Sequence, residues 1–450
     1  MSLGACRLKR RILVLVLGFW ASLNFTSCGG SSKPKDPPSG LPDRVLASQG
    51  VTATFTFGGL VMINGYNDTL PQVARMQAGN SPGLMTSSPS RNIVAAFDSS
   101  SNRVYAVNTF TESGIGYVSL PGPTSSMVFP TAIPIGYAAI PTASVTGYSF
   151  VGAVDIMNFS ASQLITIAVP NAQTVIANSI PNSTFSQLLV FSNDSNSVTV
   201  LSPGNAVPAV DLSCLSNTPN SVCTVVPGFD RPVYGVINGN TAYILNCGPQ
   251  CGGIQASVAV LDLPSLTITN TIPVDAATWA LLSGSTLYVA GTPPTNNDCN
   301  GQMWGAPPQP TAATVCGRLD VVDLGSGTVT GSFKITDGFH DRMDMTTNGQ
   351  IFIGSHDCTN IGNVSYPSGE VRGCLSIFHT ADNSVLIPPD NGDVTGLQGF
   401  TTRTVEYVAE GGNLRVYYTP TDTLFINDYL PEGNINIVGY VTDVKAIDFF

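Results

Sequence analysis

The chain has 450 residues, 43% of them hydrophobic and only 10% charged, with 45 Gly, 32 Pro and a net charge of −11. Surface helices need Glu and Lys on their wet face, and this sequence holds five of each. That excludes a largely helical protein and predicts an all-β one, with Ser, Thr and Asn on its wet strands and turns. The acidic balance repels phosphate backbones and anionic headgroups, so nucleic acid is not expected as a partner.

The first element reads as an export signal. Arg7, Lys9, Arg10 and Arg11 precede an apolar run over residues 12–19, too short for a permanent span but sufficient for the core of a signal peptide. Next comes Phe25-Thr26-Ser27-Cys28. It resembles the lipobox of bacterial lipoproteins, with Phe25 where Leu is usual. The resemblance implies removal of residues 1–27 and diacylation of Cys28, and an ordinary cleaved signal is the alternative. Losing the four cations would leave a mature body near −15. Residues 28–43, rich in Gly, Ser and Pro, read as a tether, and 44–450 as the folded body. The expected place is the bacterial cell envelope, on the periplasmic or surface side of the outer membrane. The chain would touch the membrane only through its lipid and would act as a monomer.

Along the body, a unit of four short strands recurs about every 50 residues. Three strands come first, over 44–49, 59–65 and 72–78, in the phase of the second, third and outer strands of a unit. Partial units follow: 92–98 with 103–108, then 136–142, 152–158 and 163–169, then 187–193 with 197–201. Four full quartets come next. They run over 233–237, 241–246, 257–263 and 267–273; 277–283, 286–291, 318–324 and 328–335; 343–347, 350–355, 374–379 and 384–388; and 394–400, 404–409, 413–419 and 434–439. One strand, 444–449, is left in the phase of an inner strand. One C-terminal and three N-terminal strands complete a unit, which predicts a closed β-propeller of four-stranded antiparallel blades without an open edge. Eight blades are expected, with seven the alternative.

The motifs Val104-Tyr105-Ala106-Val107-Asn108, Leu287-Tyr288-Val289-Ala290 and Val258-Ala259-Val260-Leu261-Asp262-Leu263 resemble the YVTN-type β-propeller repeats of bacterial surface proteins. The resemblance implies the fold and says little of function, because propellers host unrelated activities.

Eight cysteines of the body fall into four local couples, Cys214/Cys223, Cys247/Cys251, Cys299/Cys316 and Cys358/Cys374. Export and the turn-rich loops they bracket point to four disulfides, read as staples on those loops. A zinc site at the C-x₃-C of Cys247 and Cys251 is the alternative, but no second pair or His follows nearby.

Two constellations could carry chemistry. Asp230, Asp275, Asp341, Asp393 and Asp443 each stand four residues before a bulky apolar side chain: Tyr234, Trp279, Met345, Leu397 and Ile447. Read as loop residues entering inner strands, the five carboxylates either accept hydrogen bonds from local turn amides or converge at the channel mouth on Ca²⁺ or another divalent cation. The second constellation joins His340, Asp341 and Arg342 to His356 and Asp357, and could hold a metal or do acid–base work. With Arg231 and Arg342 just before inner strands and Trp304 on a stapled loop, this face is also the expected recognition surface. No nucleophile elbow, P-loop, dinucleotide fingerprint or HExxH helix is present. The favoured function is a non-enzymatic module binding an envelope protein, a glycan or a small molecule. A metal-dependent, lactonase-like hydrolase is the alternative.

Overall fold

The computed structural model describes residues 37–448, apart from 52–57, 72–74, 179–186, 203–213, 215–222, 296–297, 300–314, 360–372 and 389–391. Eight antiparallel sheets form a ring. The first blade joins the two ends of the chain: its inner strand is Tyr440–Asp448, followed outward by Asp43–Gly50, Gly59–Asn64 and Arg75–Met76. Asp43 pairs with Asp448, and Arg44 with Ile447. The terminal strand thus removes the edge that an open array would expose.

The second to fourth blades begin on inner strands Pro82–Ser87, Ser126–Val128 and Thr174–Ala177. The fifth to eighth begin on Pro232–Asn238, Trp279–Ser283, Phe339–Met345 and Val394–Gly399. The expected strands of the partial units occupy the second, third and outer positions assigned to them. In the eighth blade the outer edge is split: Thr423–Leu424 and Asn434–Ile435 pair with opposite ends of the third strand, Asn413–Tyr418. Only the second of these was expected, as part of a longer strand over 434–439. The only helix among the described residues is a single 3₁₀ turn, Gly248–Cys251.

The core is not one mass but eight apolar layers, one at each blade junction. Val45 and Ile63 meet Tyr407 and Val416 between the eighth and first blades. Leu60 and Met62 meet Val94 and Ala96 between the first and second, and the pattern repeats to Phe352 and Ile377 against Val408 and Tyr417 between the seventh and eighth. A second strand packs a neighbour on each face, so it reads as an unbroken apolar run instead of an alternation; Ile93–Asp98 is buried at every position. Outer turns are fixed by Asp side chains: Asp262 accepts Ser265 N–H at 3.0 Å and Asp323 accepts Ser326 N–H at 2.6 Å.

All four expected disulfides are present. Cys214–Cys223, Cys247–Cys251, Cys299–Cys316 and Cys358–Cys374 have Cα separations of 5.6, 5.6, 5.3 and 5.7 Å. The last three close loops between second and third strands. Cys214–Cys223 lies at the other face of the ring, before the fourth blade's outer strand, Cys223–Pro227. The bonds also do more than close their loops. Cys316 and Cys374 are both fully buried, each directly before a third strand, Gly317–Asp323 and Leu375–His379. Cys316 packs with Cys299 and Ile387, and Cys374 joins Leu375 and Val394 in the layer between the seventh and eighth blades. A half-cystine is apolar, so at the root of a strand it extends the core out to the loop. Cys316 and Cys374 are therefore structural residues, as their pairing implied.

Candidate functional site

The inner strands surround a central cavity of about 1220 Å³. Seven of the eight inner strands line it, from Leu84 and Met85 through Ser126, Val175 and Val236 to Lys445. At the mouth formed by loops entering inner strands, three aromatic residues line it: Tyr234, Trp279 and Phe339. Tyr234 and Trp279 stack at 3.7 Å between ring centroids with planes 14° apart. Phe339 lies 5.3 Å from the ring of His356. Burial raises the Tyr234 hydroxyl to about 12, against the opposing pull of Arg342, so it is a neutral donor at physiological pH.

Polar groups stand beside this aromatic wall in fixed pairs. Asp341 Oδ2 is 3.2 Å from Arg342 Nη1 and 3.6 Å from His356 Nδ1. Arg342 is held across the blade junction, its Nε donating to Thr395 O at 2.9 Å. The adjacent Asp341 carboxylate raises the His356 pKa. Deeper in, Asp443 accepts Met85 N–H at 2.6 Å and pairs with Lys445 at 2.9 Å. Asn193 and Gln173 reach the cavity from the third and fourth blades' side, joined by Asn193 N–H donating to Gln173 Oε1 at 2.8 Å.

A β-bulge creates this arrangement. The register of Phe339–Met345 against Gln350–His356 slips between His340 and Arg342, so Asp341 and Arg342 both face the cavity. His340 goes the other way. It is fully buried, its Nε2 donates to Thr336 O at 3.0 Å, and burial drives its pKa down to about 4. The reading of His340 as a loop histidine at the mouth is therefore corrected: it is a neutral residue at a blade junction.

The five recurring aspartates do not converge. Asp230 accepts the N–H groups of Ile254 and Gln255, both at 2.7 Å, and so holds the Cys247–Cys251 loop. Asp275 accepts Ser332 Oγ–H at 2.7 Å and is half exposed beside Arg318. Asp393 accepts Asp357 N–H at 2.9 Å. Only Asp341 and Asp443 line the cavity. The reason is the start of each inner strand: Asp230 and Asp275 precede theirs by different lengths, whereas Asp341 and Asp443 lie inside theirs. Equal spacing in the chain thus becomes unequal position in the ring. Among the described residues no group of three or more His, Cys, Asp or Glu is arranged to hold a metal ion. Asp357 is exposed, 3.8 Å from His356. Arg231 lies outside the cavity lining and donates to Asn193 O at 3.2 Å. Trp304 and Cys28 lie outside the described residues.

The sequence reading named Tyr234 and Trp279 only as apolar markers and passed over Lys445. The usable signal was positional: Tyr234 and Trp279 stand at the same offset in successive blades, which makes them lateral neighbours on the ring.

These features define an eight-bladed β-propeller with an aromatic, charge-paired mouth to its central cavity. No protein-family model matches the chain, and no curated protein matches it in sequence. Its fold is shared by solved structures at low identity. The computationally designed Ika8 protein is 10% identical with a TM-score of 0.52, over 84% of this chain and 98% of that one. The dihydro-heme d1 dehydrogenase NirN in complex with DHE is 11% identical with a TM-score of 0.52, over 87% of this chain and 75% of that one. At such identities the likeness concerns the fold alone.

Proposed function

We propose that this protein is a ligand-binding module of the cell envelope, anchored by a lipid on Cys28, and that its ligand enters the central cavity at the mouth lined by Tyr234, Trp279, Asp341 and Arg342. The observation that carries the reading is the stacked Tyr234–Trp279 pair beside the fixed Asp341–Arg342 pair. Ligand sites combine apolar and aromatic walls with a few oriented polar groups, and typically occupy about 300–1,000 Å³; this cavity is larger than that range. Four disulfides and the lipobox-like Phe25-Thr26-Ser27-Cys28 support an oxidising compartment and a membrane tether. The YVTN-type motifs support kinship with bacterial surface propellers. The hydrolase alternative has lost its proposed base, since His340 is sealed at a blade junction.

A thermal-shift screen of the purified protein against sugars, aromatic acids, amino acids and Ca²⁺ tests the reading. The expected result is a compound that raises the melting temperature and loses its effect in Trp279→Ala and Arg342→Ala. A compound whose binding survives both changes would refute the cavity mouth as the site. For the anchor, Cys28→Ser is expected to move the protein from the membrane to the soluble fraction, and unchanged partition would refute lipidation.

A further inference from the structure

We infer that the ligand at this mouth is a neutral sugar, the end of an oligosaccharide chain whose terminal ring lies against Trp279. The inference rests on the cavity mouth being the binding site. Three properties of the mouth lead to it.

The first is the charge balance. Each charge lining the cavity has an opposite partner in place: Asp341 with Arg342 and His356 at the mouth, and Asp443 with Lys445 deeper in. An ionic ligand would have to displace one of these pairs, and breaking a partly buried pair strands a charge. The acidic body adds a long-range penalty for anions. A neutral ligand avoids both costs.

The second is the kind of polar group. Asp341 offers carboxylate oxygens and Arg342 offers guanidinium donors side by side, both held rigid by their own bonds. Asn193 and Gln173 add amides, each a donor and an acceptor. Such planar, paired donors and acceptors match adjacent hydroxyls, which each donate one hydrogen bond and accept others. A purely apolar ligand would leave these groups desolvated and unpaired.

The third is the aromatic wall. Trp279 is half buried and lines the cavity, with one face of its ring stacked on the neighbouring Tyr234 at 3.7 Å and the other left for a ligand. The stack holds the indole in one orientation, so no side-chain freedom is lost when a ligand settles on it. A pyranose ring carries its C–H bonds on one face and its hydroxyls round the rim. It can therefore satisfy the indole and the polar pairs at once. The cavity of about 1220 Å³ has room behind the first ring for more.

The test is calorimetric titration of the purified full chain with maltotriose, cellotriose and chitotriose, and with trigalacturonate as the acidic counterpart. At least one neutral trisaccharide is expected to bind saturably, at one site, and at least about tenfold more tightly than trigalacturonate. Trp279→Ala and Asp341→Asn should each weaken that binding about tenfold, as expected for one stacking contact or one oriented polar group. Trp279→Phe should retain most of it, and serves if the alanine variant melts early. No saturable heat with any neutral trisaccharide at millimolar concentration would overturn the inference, as would tighter binding of trigalacturonate. If a non-sugar compound binds instead and is lost in Trp279→Ala, the sugar assignment falls while the cavity-mouth reading stands. If a trisaccharide binds but ignores both substitutions, both fall.

Discussion

A buried ion pair crosses the junction between the eighth blade and the N-terminal strands of the first. Arg403 forks onto Asp68, with Nη1 on Oδ1 and Nη2 on Oδ2, both at 2.8 Å. Tyr407 donates its hydroxyl to the same carboxylate, and Arg403 also donates to Gly65 O. The Asp68 side chain is 1% exposed and that of Arg403 18%. Removing one member of a buried pair leaves the other charged and unpartnered, at a cost of about 3–5 kcal/mol. Arg403 keeps some water contact, so Asp68→Ala belongs at the lower end of that range, about 3 kcal/mol. Arg403→Ala strands the better-buried carboxylate and belongs higher. The double variant strands neither, so it should cost less than the sum by at least about 2 kcal/mol. Equilibrium denaturation in urea, with the slope against urea unchanged between variants, reads these values. Single costs under about 1 kcal/mol, or simple additivity, would refute the claim that this pair locks the junction between the eighth and first blades.

Two further predictions concern pH. His340 is neutral in the folded state, with its pKa lowered from 6.5 to about 4 by burial, so the unfolded chain takes up a proton first as pH falls. The stabilisation is complete above pH 6.5 and is lost as pH falls towards 4, roughly 3 kcal/mol in all. His340→Gln should flatten that acid limb of the stability profile, and an unchanged limb would refute the assignment. Asp155 has the opposite sign: buried in the third blade, its carboxyl is raised from 3.8 to about 7, burial outweighing the influence of the neighbouring Thr166 hydroxyl. The folded state then keeps a proton that the unfolded chain has lost, so stability declines as pH rises from 3.8 through 7. Asp155→Asn should remove that decline; a profile identical to wild type between pH 4 and 8 would count against it.

Much of the architecture was legible because propeller blades repeat their local chemistry. Second and third strands such as Ile93–Asp98 and Ser257–Asp262 are apolar runs bounded by turn residues, and their recurrence reveals the phase. The phase in turn exposes the leftover strands at the two ends, and so the closure. Inner strands were harder. They are short, bulged and partly polar, and a single bulge decides which neighbour faces the cavity. That is why His340 and Asp341, adjacent in the chain, end in opposite environments, one sealed and one at the mouth. The cysteine pairing was readable from spacing, but the burial of Cys316 and Cys374 was not, because it depends on side chains such as Ile387 and Val394 that only the folded ring brings to them. The aspartate recurrence was real in the sequence but encoded anchoring of loops: Asp230 holds the loop of its own blade and Asp393 that of the blade before it. The Arg403–Asp68 pair joins residues 335 apart in sequence, and no local pattern announces it.

The most direct test of the account is hydrogen–deuterium exchange on the purified protein, with and without the compound giving the largest thermal shift. Protection is predicted on the inner strands Pro232–Asn238, Trp279–Ser283 and Phe339–Met345, which carry Tyr234, Trp279 and Arg342 round one mouth of the cavity. Protection confined to the outer strands, such as Thr267–Pro273 and Thr328–Ile335, would put the ligand on the rim and contradict a binding site in the central cavity.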